Sequence, residues 1–335
     1  MVLILSHELD ESTNEVMRYL EPHTEIIRWN REDLIKGVVL KINDSEESLK
    51  IFSKEGKQVC FSDVKFLWCR SGNFNFQIPF SSKVKNSEII AKAVGKEWEN
   101  IRMLLHDQFK SENEFTSFFQ KEIHNNKLED LIRAKSLGLK IPSTIITTEK
   151  IILQKFLEEY PLAVTKAIKN SISVSDEKYN YISGSSKMLN KNDLQRLDDT
   201  FMPVLVQEYI EKEVELRVFH LNQENFAMAI FSQLDEQTKI DYRNYNRAKP
   251  NRNVPFILPD EINRKINLFM KKSELDFGSI DLIYSTKNEY VFLEVNPVGQ
   301  FGWVSGNCNY YLEEKIAKYI LNEKKANKNY RPRND

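Results

Sequence analysis

Cysteine is scarce in this sequence, and its few thiols form no recognisable motif. Three cysteines, Cys60, Cys69 and Cys308, occur among 335 residues, and no two of them form a Cys-x-x-Cys pair. The five histidines are scattered without the spacing of zinc ligands. This usage argues against a disulfide-stabilised secreted domain and indicates a reducing compartment.

Long hydrophobic runs and an excess of one charge are also missing. The 48 basic and 49 acidic side chains nearly cancel, so nucleic acid is not the expected partner. No apolar run approaches the roughly 20 residues that span a bilayer, and the apolar Met1–Leu5 segment is too short for a signal peptide. We expect a cytoplasmic protein of two or three lobes, with neither a membrane nor a nucleic-acid partner.

The C-terminal part of the sequence predicts a β-hairpin. Phe277–Tyr284 and Tyr290–Pro297 are rich in β-branched and aromatic residues, and a polar run separates them. We take Thr286–Glu289 as a four-residue loop, which is a common length for hairpins. The register set by this loop pairs an acidic residue of the first strand with one of the second.

Three side chains of this hairpin are candidate metal ligands. Glu294 and Asn296 share a strand face, and the predicted register places Asp281 opposite Glu294. Two carboxylates and an amide on an otherwise apolar hairpin cost free energy to bury unless a cation lies between them. Oxygen ligands without His or Cys suit Mg²⁺. The alternative is a solvated Asp281 and an Asx-type turn at the end of the second strand.

The N-terminal region predicts an α/β unit. Val2–Leu5 is typical of a strand, Ser12–Glu15 of a capping box that begins a helix, and Glu25–Trp29 of a second strand. This unit lacks a glycine-rich phosphate loop, so we expect a nucleotide to bind elsewhere. Residues 38–70 predict an antiparallel insert, and residues 87–124 a helical segment.

Two lysines in the middle of the chain are candidate anion ligands. Lys127 begins an amphipathic helix that ends at Gly138. Lys166 lies in the predicted strand Pro161–Ile168, where burial costs free energy unless an anion meets the ammonium group. A surface lysine on an edge strand is the alternative for Lys166. Residues 171–186, rich in Ser, Asn and Tyr, predict a flap that closes over a ligand.

Further polar residues follow in the second half of the chain. Met202–Ile210 predicts a strand that runs into a polar connection, and the alternation of the next strand puts Glu215 and Arg217 on one face. Residues 241–252 form a loop with four cationic side chains, suited either to phosphate and carboxylate groups or simply to solvent. The charged residues 324–335 predict a disordered tail.

The order of these parts resembles an ATP-grasp ligase. The resemblance rests on the helix-starting Lys127, the strand Lys166, a strand that runs into a polar linker at Val206–Ile210, an acidic residue seven positions beyond Glu208, and the terminal Asp…Glu-x-Asn set. It covers the whole chain. One departure is that no glycine-rich phosphate loop follows Lys166.

Three local stretches narrow the resemblance within that superfamily. Leu3–Val16, Lys239–Arg243 and Arg252–Pro259 are similar to segments of the graspetide (microviridin-type) ribosomal peptide maturases. The resemblance implies an α/β architecture with the ATP-grasp fold. The implied domains are a pre-ATP-grasp domain at 1–125, a central lobe with the flap at 126–210, a C-terminal lobe with the Mg²⁺ site at 211–325, and a tail at 326–335.

The resemblance also implies roles for individual residues. ATP phosphates would be held by Lys127 and Lys166, adenine by the linker Val206, Gln207, Glu208, Tyr209 and Ile210, ribose by Glu215, and Mg²⁺ by Asp281, Glu294 and Asn296. Lys166, Arg217 and Arg243 would be the catalytic cations, facing the γ-phosphate or a substrate carboxylate. Asp241 and Arg243 match an Asp-x-Arg element tied to recognition of the core peptide in such ligases.

The implied reaction joins side chains of a ribosomal precursor peptide. Asp or Glu would be activated by ATP as an acyl phosphate, and attack by a hydroxyl or amine would give an ester or amide with ADP and phosphate. The implied partners are the leader and core of that peptide and a second copy of the chain. The alternatives are a ligase that adds an amino acid to a small acid or protein tail, and a non-catalytic ATP-binding regulator.

Overall fold

The protein is described here by a computed structural model that covers residues 1–45, 47–76, 87–107, 114–115, 126–168, 172–175, 180–183 and 186–328. Its contacts divide the chain into two compact units, one of Met1–Glu122 with Tyr311–Asp335 and the other of Ile123–Tyr310.

The strands and helices have the following bounds. The strands are β1 (Val2–Ser6), β2 (Ile26–Asn30), β3 (Ile35–Ile42), β4 (Glu47–Ser53), β5 (Gln58–Cys60), β6 (Phe66–Cys69), β7 (Glu114–Phe115), β8 (Thr144–Glu149), β9 (Ala163–Lys166), β10 (Ile172–Ser175), β11 (Asn180–Ser183), β12 (Lys187–Leu189), β13 (Thr200–Glu208), β14 (Lys212–Leu221), β15 (Glu224–Ile230), β16 (Asn253–Phe256), β17 (Phe277–Ser285) and β18 (Tyr290–Asn296). The helices are α1 (Glu11–Leu20), α2 (Ser87–Asp107), α3 (Lys127–Ser136), α4 (Lys150–Glu159), α5 (Asp260–Lys272), α6 (Gly302–Cys308) and α7 (Leu312–Lys328).

The first unit is built on a sheet of order β2-β1-β6-β7. All five residues of β1 are buried, as expected of a parallel strand that is covered on both faces. Helix α1 begins after Asp10, whose carboxylate accepts a hydrogen bond from the Thr13 N–H. The predicted cap at Ser12 was wrong, because Ser12 already lies inside the first turn of the helix.

The predicted insert is smaller than expected. Strands β3, β4 and β5 form an antiparallel sheet, but β6 pairs in parallel with β1. All four residues of β6 are buried, which suits the main sheet. The helix predicted at 87–124 ends at Asp107, and β7 occupies part of its predicted span; the remaining residues of that span lie outside the described ranges.

The last helix packs within the first unit. Leu312, Ile316 and Ile320 of α7 are fully buried at a spacing of four residues, which gives one apolar stripe, and α7 contacts α1. Residues 311–325, predicted to belong to the C-terminal lobe, therefore group with the N-terminal unit. Helix α7 also continues to Lys328, so the first part of the predicted disordered tail is helical; residues 329–335 lie outside the described ranges.

The second unit contains two larger sheets and a small hairpin. Their strand orders are β12-β9-β13-β8 and β16-β15-β14-β17-β18, and β10 pairs with β11 where the flap was predicted. One face of the five-stranded sheet packs on α3 and α5, and the alternate β14 residues Val214, Leu216 and Val218 enter that core. Glu215 and Arg217 consequently lie on the other face of the sheet.

Candidate active site

The acidic hairpin pairs its carboxylates as predicted, but through a β-bulge. Near the loop, Tyr284 pairs with Tyr290, a register that would place Leu293 opposite Asp281. The register then shifts by one residue between Asp281 and Leu282, so that Asp281 pairs with Glu294. A bulge of this kind re-aims the side chains that follow it. The predicted pairing of Asp281 with Glu294 is confirmed, but the predicted four-residue loop is wrong, because Tyr284 rather than Ser285 pairs with Tyr290 and the bulge then restores the register.

Three neighbouring strands place a cation and two carboxylates in a row. Arg217 of β14 pairs with Asp281 of β17, which pairs with Glu294 of β18. Arg217 Nη1 donates to both carboxylate oxygens of Asp281, at 2.9 and 3.0 Å. Burial raises the pKa of Asp281, and the Arg217 guanidinium opposes that shift without cancelling it.

Cations from three separate segments surround Glu294. Lys127 Nζ lies 3.0 Å from Glu294 Oε2, and Arg243 Nη1 lies 3.4 Å from Oε1. Burial pushes the pKa of Glu294 upward, but Lys127, Lys166 and Arg243 together hold it below its ordinary value. The pKa of Lys166 is lowered by burial, and the Glu294 carboxylate is the strongest influence against that shift. Lys127 therefore contacts the Glu294 carboxylate, and Lys166 acts on the same carboxylate electrostatically.

The loop after β15 brings a second carboxylate–guanidinium pair to the cleft. Asp241 accepts hydrogen bonds from Arg243 Nε at 2.8 Å and from Nη2 at 2.7 Å, a two-pronged geometry that fixes the guanidinium plane. Ser186 Oγ, just after the hairpin of β10 and β11, donates to Asp241 at 3.0 Å. Burial opposes ionisation of Asp241, but Arg243 and Ser186 lower its pKa to about 2.

The predicted nucleotide residues fall into two groups. Gln207, Glu208, Tyr209, Ile210 and Glu215 line a cleft, together with Lys166, Asp241, Arg243, Asp281 and Glu294. Val206 does not line it, because its side chain packs in the core among Leu157 and Ala163. Its backbone lies between β8 and β9, which pair with β13 on either side.

Glu208 and Glu215 are already bonded within the protein. Glu208 Oε1 accepts from the Ser143 N–H at 2.9 Å, which ties the end of β13 to the start of β8. Glu215 Oε1 accepts from Lys212 Nζ at 2.8 Å and from Ser232 Oγ at 2.7 Å. Burial raises the pKa of Glu215, and Lys212 opposes the shift.

A second cavity of about 450 Å³ shares part of the same walls. It shares Tyr242, Arg243, Asp281 and Glu294 with the first cleft and adds Arg217, Asn296 and Trp303. Since the Asp281 and Glu294 carboxylates border both spaces, a group bound in one lies next to a group bound in the other.

The oxygen donors of the hairpin fit a divalent metal. Asn296 Oδ1 accepts from the Val298 N–H at 3.0 Å, which is the Asx-type turn of the alternative interpretation, yet a carbonyl oxygen has a second lone pair. In the described part of the chain, no three His, Cys, Asp or Glu side chains form a metal cluster. A metal at Asp281 and Glu294 would therefore take an amide oxygen or water as its further ligand, as Mg²⁺ does.

Several residues of the cleft were missed in the sequence. Lys212, Ser186 and Ser232 bond directly to predicted site residues, and Tyr242 lines both cavities. Burial raises the pKa of Tyr242, so its phenol stays neutral. Two of them had a signal in the sequence: Tyr242 lies inside the Asp-x-Arg element, and Ser186 ends the predicted flap.

Across the ranges with described coordinates, no helix has the length and apolarity needed to cross a membrane.

Comparison with known proteins identifies the fold. A RiPP-associated ATP-grasp ligase from Chryseobacterium gregarium, solved with ADP and a leader and core peptide, is 24% identical with a TM-score of 0.82, and the alignment covers 98% of this chain and 97% of that one. The macrocyclase MdnC from Microcystis aeruginosa, bound with precursor peptide MdnA, is 23% identical with a TM-score of 0.77, over 96% and 99% of the two chains. At such identities the likeness shows the fold alone.

Sequence comparison adds the family. An uncharacterized protein of Methanocaldococcus jannaschii is 26% identical over 214 residues, which are 62% of this chain and 49% of that protein, so the chain spans about half the length of this curated relative. Residues 125–320 match the RimK-like ATP-grasp domain, and this match covers more than half of the chain. The chain therefore has the predicted ATP-grasp fold and belongs to the RimK-like ATP-grasp family of ATP-dependent ligases, whose cofactors are ATP and Mg²⁺.

Proposed function

We propose that this ligase activates Asp or Glu side chains of a ribosomal precursor peptide and joins them to Ser, Thr or Lys side chains of the same peptide, as in graspetide macrocyclisation. The observation that carries the proposal is the convergence of Lys127, Arg243 and the Arg217–Asp281 pair on Glu294. The two structural neighbours, solved with a leader and core peptide and with a precursor peptide, support it.

The nucleotide occupies the first cleft in this proposal. Lys127 and Lys166 bind its phosphates, the backbone around Gln207–Ile210 meets adenine, and Glu215 accepts hydrogen bonds from the ribose hydroxyls. We assign the two lysines and the linker to a central lobe at 126–210, and Glu215 to a C-terminal lobe that begins at 211. Asp281, Glu294 and Asn296 would hold Mg²⁺, which when bound would neutralise negative charge on the phosphates.

Activation of the acid is a problem of charge. A carboxylate must approach the γ-phosphoryl group although both are negative, so cations have to neutralise and align the two. Arg243 borders both cavities and Arg217 lines the second, so we assign this role to these two guanidinium groups. The carboxylate oxygen attacks the γ-phosphorus, ADP leaves, and an acyl phosphate forms. A hydroxyl or amine of the peptide then attacks the carbonyl carbon, and phosphate departs with the displaced proton.

The second cavity is the proposed binding site for the core of the peptide. Its volume of about 450 Å³ falls in the range of small-ligand sites and suits one acidic and one nucleophilic side chain. Asp241 and Arg243, at its border with the nucleotide cleft, position the core. We further propose a cytoplasmic homodimer without nucleic-acid or membrane partners; light scattering of the purified chain measures its mass.

Reconstitution tests this function. The full chain is incubated with Mg²⁺, ATP and the product of a small neighbouring reading frame rich in Thr, Ser, Asp and Glu, and the peptide is weighed by mass spectrometry. Loss of one or more waters with matching ADP release supports the proposal. Gain of an amino-acid residue on another acceptor indicates the alternative ligase, and peptide-independent nucleotide binding without turnover indicates a regulator.

Two variants test the assigned metal ligands. Glu294→Gln and Asp281→Asn keep the shape of the side chain but remove a charged oxygen, so we expect turnover to fall by about 10²- to 10³-fold, of the order seen when one electrostatic contact is removed. Glu289→Gln is the matched control, because Glu289 lies in the loop of the same hairpin and pairs with Lys140. Substantial activity in either ligand variant would refute the site.

A further inference from the structure

Lys212 is a buried cation at the start of β14 that no motif had indicated. Its side chain is only 2% exposed. Its ammonium group donates to Glu215 Oε1 at 2.8 Å and to the carbonyl oxygen of Ile240 at 3.0 Å. Because burying a charge costs free energy unless its partners are well placed, these two contacts account for a lysine in this position.

A β-bulge turns Lys212 into the cleft. In a regular strand, residues three apart lie on opposite faces, so Lys212 would point away from Glu215. Here Lys212 pairs with Ser285 while Val214 pairs with Tyr284, which leaves one extra residue in β14. The bulge shifts the alternation by one and brings Lys212 to the face of Glu215.

Glu215 and Lys212 together fasten the loop that follows β15. Ser232, near the start of that loop, donates from Oγ to Glu215 Oε1 at 2.7 Å. Ile240, later in the loop, is held by Lys212. The next residue is Asp241, which orients Arg243. The carboxylate assigned to ribose is thus connected through one ammonium group to the Asp241–Arg243 segment.

We infer that Lys212 is a positioning residue that couples nucleotide binding at Glu215 to the placement of the Asp241–Arg243 segment. The inference rests on the proposed nucleotide role of Glu215. Hydrogen bonds from ribose hydroxyls fix the Glu215 carboxylate, which fixes the ammonium group, which in turn fixes the Ile240 carbonyl. Without Lys212, the loop loses this attachment and Glu215 keeps only Ser232 as a partner.

The aromatic stack beside this segment gives a direct readout. The rings of Tyr242 and Trp303 lie with centroids 5.8 Å apart at an angle of 23°. Displacement of the loop separates Tyr242 from Trp303 and changes the emission of the indole. A Trp303→Phe background identifies which part of the signal comes from this pair.

The test compares Lys212→Met with Lys265→Met. Lys265 lies on α5, which packs on the opposite face of the five-stranded sheet from Glu215, and it pairs with the exposed Glu261, so the control removes the same charge outside the cleft. We expect Lys212→Met to weaken ADP binding about tenfold by calorimetry, equivalent to about 1.4 kcal/mol, and to shift the Trp303 emission. Lys265→Met should change neither, and Lys212→Arg should restore most of both.

The possible outcomes separate the two claims. Unchanged ADP affinity and Trp303 emission in folded Lys212→Met would overturn the coupling while leaving the site intact. Unchanged ADP affinity in Glu215→Gln would instead remove the proposed nucleotide role of Glu215. Should Lys212→Met fail to fold, the same measurements on Lys212→Gln, which keeps a neutral donor, decide the matter by the same criteria.

Discussion

Removal of Lys127 should make the ligand-free protein bind a divalent metal more tightly. Lys127 Nζ lies 3.0 Å from Glu294 Oε2, where it neutralises a carboxylate assigned to the metal. A metal ion that arrives without nucleotide must either displace the ammonium group or bind beside it. Binding is disfavoured because three cations, Lys127, Lys166 and Arg243, already neutralise the Glu294 carboxylate.

The magnitude follows from the geometry of the pair. Two unit charges 4 Å apart interact by about 4 kcal/mol at an effective dielectric constant of 20, and exposed pairs by only about 0–1 kcal/mol. The Lys127 and Glu294 side chains are 28% and 19% exposed, so the pair falls between these limits. We take about 1–2 kcal/mol, which is about a 5- to 30-fold change in equilibrium.

The assay is a Mn²⁺ titration of Lys127→Met without nucleotide, with free Mn²⁺ followed by electron paramagnetic resonance. We expect the metal affinity to rise about 5- to 30-fold, while ADP affinity measured in EDTA falls, because a phosphate ligand is lost. Lys265→Met is the control, since Lys265 pairs with Glu261 on α5. Equal or weaker Mn²⁺ binding by a folded Lys127→Met protein would show that the Lys127 ammonium group does not compete with a metal at Glu294.

Two other predictions concern pH and backbone conformation. The pKa of Asp241 is about 2 in the folded protein against 3.8 for the free group, so its contact with Arg243 contributes fully to stability above about pH 5. This contribution, up to about 2 kcal/mol, is lost as pH falls towards 2. Urea unfolding of Asp241→Asn should therefore show a smaller loss of stability than the wild type between pH 5 and 3, and an equal loss would contradict this. Gly299 has φ +57°, and a Cβ there would lie 2.6 Å from the Phe277 ring, so Gly299→Ala should lower the free energy of unfolding by more than about 1 kcal/mol. The substitution should also disturb the turn in which the Gly299 N–H donates to the Asn296 carbonyl. An unchanged denaturation midpoint would count against this prediction.

Strand periodicity predicted which of the candidate site residues share a face of a strand. Alternation placed Glu215 with Arg217, and the two β-prone runs around a short polar segment located the hairpin. Lys127 stands at the start of an amphipathic helix, as its pattern predicted. Each of these inferences depends on residues close together in the chain, where backbone geometry alone decides which side chains share a face.

Long-range pairing and bulges decided the rest. The contact of Lys212 with Glu215 exists because an extra residue reverses the alternation of β14, and Asp281 meets Glu294 because β18 carries another bulge. Ser186 reaches Asp241 across 55 positions of the chain. A bulge or a distant hydrogen bond leaves no periodic trace among neighbouring residues, because it is selected by the packing of whole strands. The sequence therefore predicted the candidate residues of the site and the strand faces that carry them, whereas the contacts that hold these residues in place depend on the tertiary structure.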